Sequence, residues 1–453
     1  MYDVKDTLSV NRNDVETLSD DGQMGVRCVK EQQDRIVKMI LVALFYVSIA
    51  IYLLTNNAVV GVIMILIWAL LVLLGQGFMT LPTLSIFCNI LQIPLIGEGF
   101  FKYAILILMI FDIIREQKIG LTRTVSIQLM VCFLFTAFVL FPIKGLAVLV
   151  YLPIMFYIGY IWMGLRKDES RLKRFCRSFV ITMLISLLVG AIQQNVVTET
   201  SIIGDNAMEL GRFFATFNDP NYAGLFINAA VFMCVIFNPF PKYINLAALI
   251  ALYFGLVATS SMTAIVCNLV IMVFLFVQKY GFRFKTALII LGFAAMLTLV
   301  YIYGLNSNFE FLNMMSTRIK LKFEALIFDN DVSAFTSGRT GLVEQHWNFL
   351  KNEGPWFNWL FGGISSNALY CTPRLGAKVA HLEYLDLLLN IGLIGMILYL
   401  GSMLARFVQA IRSYYNKKTD SNKLYIALYI NYFVCGLSLT LFMEPQFFIW
   451  VMM

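Results

Sequence analysis

The sequence predicts an all-α polytopic membrane bundle of about 12 to 13 transmembrane helices with one large extracytoplasmic loop. Three observations lead there. Hydrophobic residues make up 60% of the 453-residue chain and charged residues only 13%, about half the share usual in soluble domains. The apolar residues come in unbroken blocks of roughly 17 to 25, the length that spans a bilayer core as a helix. The short loops rich in lysine and arginine all fall on one side of the bundle.

In chain order, residues 1–35 are polar, acidic at first (Asp3, Asp6, Asp14, Glu16, Asp20, Asp21) and basic beside the first apolar block (Arg27, Lys30, Arg35, Lys38). They read as a loose cytoplasmic tail. Spans follow near residues 37–55, 58–74, 80–96, 99–114, 124–141, 145–163, 175–194, 222–238, 243–259, 262–278, 285–304, 382–405 and 424–443. The division is a transmembrane bundle over 36–304 that includes an outer loop at 195–221, a large loop at 305–381, and C-terminal transmembrane helices over 382–453. Blocks of this kind must be helical, because lipid offers no partner to an open backbone.

Basic short loops stay in the cytoplasm. With the N-terminus inside, Arg115, Lys118 and Arg123 fall inside. So do Arg166, Lys167, Arg171, Lys173, Arg174 and Arg177, then Lys279, Arg283 and Lys285, and finally Arg412, Lys417, Lys418 and Lys423. The opposite loops are nearly uncharged or acidic, as with Glu199, Asp205 and Glu209. Segments 195–221 and 305–381 therefore face outward. A polar stretch of about 75 residues is too long for a connector and points to function. Apolar residues recur at three- and four-residue steps through Phe309, Leu312, Met315, Ile319, Phe323 and Leu326, and again through Leu342, Trp347 and Leu350, which predicts two helices. They either lie flat at the membrane interface or build a small outer subdomain.

The eight cysteines are scattered singly and read as small core residues rather than a disulfide framework. With His346 and His381 the only histidines, no metal centre is expected, and no cofactor or nucleic-acid partner either. Mid-membrane ionisable residues, the mark of transporters, are nearly absent: Lys102, Asp112 and Arg177 sit near span ends. The chemistry-bearing residues lie instead in three outward clusters.

The first is Gly211–Asn221, with Arg212, Asn218, Asp219 and Asn221. Asp219 followed by Pro220 is a helix-start signal, and the helix it opens turns its positive dipole end to the interface, a ready anion site. A plain cap with Arg212 anchoring to headgroups is the competing reading. The second cluster is Ser337-Gly338-Arg339-Thr340-Gly341, where an arginine between glycines can meet a phosphate bidentately; a solvated loop arginine is the alternative. The third opens the twelfth span with His381, Glu383, Tyr384 and Asp386, then Gly392 and Gly395. On one continuous helix His381, Tyr384, Leu388, Gly392, Gly395 and Tyr399 share a stripe, and the glycines admit a neighbouring helix. Glu383 lies about 200° round from His381 on that helix and is the weaker candidate. An imidazole with pKa near 6.5 suits proton removal at neutral pH, although an interfacial histidine without a catalytic part fits the same residues. His346 reads as structural.

The third cluster resembles the hallmark of the O-antigen ligase and polymerase family: a histidine, a polar residue, nine residues and GxxG. His381, Gly392 and Gly395 stand at that spacing; Leu382 departs from the polar second position, which fits a polymerase better than a ligase. The Gly211–Asn221 run is similar to the family's outward arginine loop leading into a DPN helix start, and Arg339 with Phe361-Gly362-Gly363 resembles its large outer loop. At Met262 many members carry an arginine, and that role does not transfer.

The resemblance implies a multi-span glycosyltransferase of the GT-C kind in the cytoplasmic membrane of a bacterium, with its active site at the outer face. It implies inverting, metal-independent transfer of a glycan from undecaprenyl pyrophosphate to a second lipid-linked glycan. His381 would be the base, Arg212 and Arg339 would hold the pyrophosphate, and Asn218, Asp219, Asn221, Tyr384 and Asp386 would line the substrate. Chain-length regulators, flippases and membrane lipid are the implied partners. A ligase, or a transporter of lipid-linked glycans, is the other class that the sequence admits.

Overall fold

The computed structural model describes residues 12–87, 100–116, 126–131, 151–195, 213–217, 219–281, 302–307, 310–329, 339–352, 354–362 and 381–442. Among them there are helices and turns and no strand. The helices are α1 (Arg12–Thr55), α2 (Ala58–Leu73), α3 (Leu81–Ile86), α4 (Phe100–Glu116), α5 (Tyr151–Lys167), α6 (Glu169–Asn195), α7 (Pro220–Phe237), α8 (Lys242–Ala258), α9 (Met262–Tyr280), α10 (Glu310–Ile327), α11 (Arg339–Asn352), α12 (Trp356–Phe361), α13 (Glu383–Asn416) and α14 (Asp420–Cys435). Five stretches are long and apolar enough to cross a membrane: Ile36–Thr55, Glu169–Gln193, Pro220–Phe237, Met262–Lys279 and Glu383–Asn416. Shorter apolar helices, Ala58–Leu73, Gly77–Ile86, Tyr103–Asp112 and Lys242–Ala258, accompany them. The protein is an all-α polytopic membrane bundle. Most of the expected spans at 124–141 and 285–304 lies outside the described residues.

α7 is the central helix. It is apolar all round and touches α6, α8, α9 and α14, the pattern of a helix with no solvent face. Gly224 lets α9 come close: a Cβ there would lie 2.5 Å from that of Ala264. Three buried asparagines fasten α7, α9 and α14. Asn228 donates to the Ala264 carbonyl (2.8 Å), Asn268 donates to Asn228 Oδ1 (3.0 Å) and Asn431 donates to the Leu225 carbonyl (3.0 Å).

Cross-links set the direction of the helices. α1 runs parallel to α6, with Tyr46 on Ser178 (2.6 Å) and Gln193 on the Leu53 carbonyl (2.7 Å). α14 runs against α7, with Asn431 near its middle and the Thr440 carbonyl accepting from Tyr222 (3.2 Å) beyond its end. One end of the bundle therefore gathers the N-termini of α7, α9 and α13. The cations of the α5–α6 and α13–α14 junctions lie at the other end, with Arg177 Nε on the Pro239 carbonyl (2.9 Å).

The structure departs from the sequence reading in four places. The expected loose tail is helical from Arg12 and continuous with the first span, in a run of residues 12–55 that no proline interrupts. α14 stops at Cys435, short of the expected 443, and residues 436–442 continue without helix. Arg406 is buried in α13 and hydrogen-bonds Gln128, a cation inside the bundle that the sequence reading placed nowhere. Finally, α13 is not one continuous helix.

The break in α13 falls at Gly392, whose φ of 66° and ψ of −179° only glycine adopts without strain. The first half of α13 ends there against the end of α12, where Gly362 also has positive φ (76°). A Cβ on Gly392 would lie 2.3 Å from the Leu360 carbonyl oxygen, and one on Gly362 2.4 Å from that of Asn390. The partner at Gly392 is thus the turn after α12, while a Cβ on Gly395 would meet only Ile391 of its own helix. The expected glycine-lined helix–helix approach is replaced by a glycine–glycine lock. Gly392→Ala should cost about 1–3 kcal/mol of stability, read as a lowered thermal midpoint in detergent; an unchanged midpoint would show that the lock is dispensable.

Candidate functional site

The site is built around the N-terminus of α7. Asp219 has extended backbone angles (φ −141°, ψ 133°), and its Oδ1 accepts the Asn221 N–H at 2.6 Å. Pro220 occupies the first helical position, where its missing N–H costs nothing. The Asn221 side chain is buried and accepts a 2.8 Å hydrogen bond from the Ser261 hydroxyl, the cap of α9. The approach to α7 is held by the Phe213 N–H on the Ala258 carbonyl (3.2 Å) and by Ala215, in the left-handed region (φ 52°), pressed on Gly190. Arg212 and Asn218 lie outside the described residues.

α11 supplies the second face. Arg339 is its first residue and His346 follows seven positions later, two turns on, so both project from one side about 10 Å apart along the axis. Phe349 and Leu350 pack on Leu385, Leu388 and Leu389 of α13, which seats α11 across the first turns of that helix. His346 is buried, and its Nδ1 donates to the Leu342 carbonyl at 2.7 Å. In the neutral ring that leaves the lone pair on Nε2.

The third face is the entry to α13. His381 stands before the helix, with Leu382 as N-cap, and has a left-handed backbone (φ 54°) that histidine tolerates better than most residues. The continuous stripe from His381 to Tyr399 therefore does not exist: its first member precedes the helix and Gly392 breaks it.

Charge interactions tie the faces together. His381 feels Arg339, Asp219 and His346, and Arg339 feels Asp219 and Tyr222. Burial holds the His381 imidazole below the usual histidine value, the Arg339 cation and His346 push it the same way, and Asp219 opposes them. Burial also lowers Arg339, against Asp219 and Tyr222. Both side chains are half-buried, and among the described residues neither makes a hydrogen bond or ion pair within the protein. A guanidinium and an imidazole thus stand beside a helix N-terminus with their hydrogen-bonding capacity unspent.

The other candidates on α13 are committed elsewhere. The Tyr384 hydroxyl donates to the Phe433 carbonyl at 2.8 Å, and Asp386 accepts from the Thr440 hydroxyl. Two residues outside the sequence-derived set belong to the neighbourhood. His346, read as structural, shares the Arg339 face, and the seven-residue spacing was the available signal. Glu383, discounted on an angle measured from His381 along a helix that His381 does not enter, is fully buried at the site's edge.

The described fold is that of a polytopic helical membrane protein. No protein-family model matches the chain, and no curated protein is significantly similar to it.

Because His381 titrates lower in the folded protein, the unfolded chain binds more protons, and its contribution to stability falls as pH drops below about 6.5. Arg339→Gln should move the His381 titration upward. Histidine-labelled protein, with two imidazole signals to follow, checks this by NMR; an unmoved titration would show that the two groups are not coupled.

Proposed function

We propose that this protein is a membrane glycosyltransferase of the polysaccharide-polymerase kind. It moves a glycan from undecaprenyl pyrophosphate to a hydroxyl of a second lipid-linked glycan at the extracytoplasmic face of a bacterial cytoplasmic membrane. One observation carries the reading: the unengaged Arg339 guanidinium and His381 imidazole converge beside the dipole end of α7, with the cation-rich junctions at the opposite end of the bundle. By the positive-inside rule those junctions are cytoplasmic, which turns the site outward.

In this reading the acceptor hydroxyl gives its proton to His381 as its oxygen attacks the anomeric carbon. The bond from that carbon to the pyrophosphate oxygen breaks on the opposite face, inverting the configuration. The departing pyrophosphate gains charge, which Arg339 and the free N–H groups of α7 meet. Arg339 has a second effect, since its field keeps His381 unprotonated, the form a base requires. A bound pyrophosphate offsets that field and raises the imidazole toward working pH as the substrate arrives. Asp219 caps α7 and limits the excess positive charge. Arg212 is the further cation that the family resemblance supplies. Leu382 after His381 favours polymerisation over ligation to a lipid acceptor.

His381→Ala and Arg339→Ala should insert and fold normally yet lower the rate on the order of 10²–10³, with Arg212→Ala behaving alike. Purified protein incubated with undecaprenyl-pyrophosphate repeat units and run on a gel gives the measurement, a ladder for the parent and monomer for the variants. Full ladders from all three variants would refute the assignment, and product trapped as translocated single units would instead indicate transport.

A further inference from the structure

Beside His381, α14 ends and residues 436–442 fold back over the first turn of α13 as a non-helical strap. Most of the hydrogen bonds that hold it there come from that turn. Glu383 is fully buried, and its carboxylate accepts three hydrogen bonds: from the Tyr432 hydroxyl (2.7 Å), the Leu441 N–H (2.5 Å) and the Phe442 N–H (3.0 Å). Its own N–H donates to the Gly436 carbonyl at 2.9 Å. Asp386 takes the Thr440 hydroxyl, and the Thr440 carbonyl in turn accepts from Tyr222 (3.2 Å), next to the Asp219 turn of α7. Tyr384 holds Phe433.

We propose that Glu383 is a positioning residue for His381, which acts by pinning the strap so that the entry to α13 and the N-terminus of α7 keep one fixed geometry. The proposal rests on His381 being the base. A buried carboxylate is costly to keep, and apolar packing alone would join α13 to α14. What the carboxylate alone provides is charge-assisted acceptance of two consecutive backbone N–H groups, which holds a non-helical segment in a single register. That register reaches the site from both sides. Glu383 is two residues from His381, and the strap's Thr440 is bonded to the residue after Asn221. The charged and titratable groups facing His381 are Arg339 and His346 from α11 and Asp219 from α7; Glu383 is not among them, so its influence is geometric.

The test is Glu383→Leu, close in size but unable to accept either backbone N–H group, both of which bond the same carboxylate oxygen, with Tyr432→Phe as a milder variant that removes one bond and keeps the ring. Two readouts on the full-length purified protein separate positioning from plain stability. The first needs no glycan: diethyl pyrocarbonate acylation and NMR titration of His381, with His346→Gln to assign the two imidazoles. Folded Glu383→Leu should acylate several-fold faster at His381 and titrate nearer the free-histidine value, with Tyr432→Phe shifted the same way by less. The second is turnover of undecaprenyl-pyrophosphate repeat units, where kcat should fall ~10-fold with KM unchanged, the signature of misplacement rather than lost binding. Folded variants with parental acylation, titration and kcat would overturn the proposal. Full turnover by His381→Ala would instead remove the glycosyltransfer reading, while the acylation result would still report whether Glu383 places the imidazole.

Discussion

Backbone amides and carbonyls cannot be left open in hydrocarbon, and in this protein that constraint decides where irregular structure can exist at all. Among the described residues, the bundle leaves the helix before α7, at Gly392 and after Cys435. Each departure is answered by a specific partner. Phe213 is tied to Ala258, the turn at Gly362 closes on Asn358 and packs against Gly392, and the strap gives its N–H groups to Glu383. Irregular backbone is tolerated at such depth only where protein covers it, and the covered pieces here surround His381.

The same low-polarity setting gives the site its electrostatic character. A guanidinium, an imidazole and a carboxylate in bulk water would barely sense one another beyond a Debye length. Half-buried at the ends of α11 and α13, His381 and Arg339 are both lowered first by burial, with Arg339 adding to the effect on His381 and Asp219 opposing both shifts. Arg339 makes the end of α7 more positive than its dipole alone and keeps His381 neutral, while Asp219, spent on capping, tempers both. In the glycosyl transfer proposed above, one arginine would serve both the departing group and the base.

Much of this was legible in the residues. The Asp219-Pro220 start, the grouping of Arg339 with His381 at one end of the bundle and the helix through Phe323 all follow from local rules of capping, charge placement and periodicity. The errors around α13 and α14 share one cause, which is the assumption that apolar blocks are unbroken helices. Counting 100° steps from His381 to Tyr399 ignored a left-handed histidine and a glycine in an extended conformation. That count set Glu383 aside and gave Tyr384 and Asp386 free side chains that α14 and the strap in fact occupy. The pairing of Arg339 with His346 was within reach, since seven residues bring a helix back to the same face, but only a partner helix could show which way that face points.

By itself the sequence determined the all-helical membrane class and the two polar ends of the bundle. These follow from composition, block length and the order of charges, all local in the chain. The tertiary structure alone decided which of the candidate site residues share a space, that α13 breaks at Gly392, and that Glu383 is bound to a strap almost 60 residues later. Such contacts join segments whose mutual distance depends on the packing of α7, α11, α13 and α14 together, and no local pattern of residues encodes that packing.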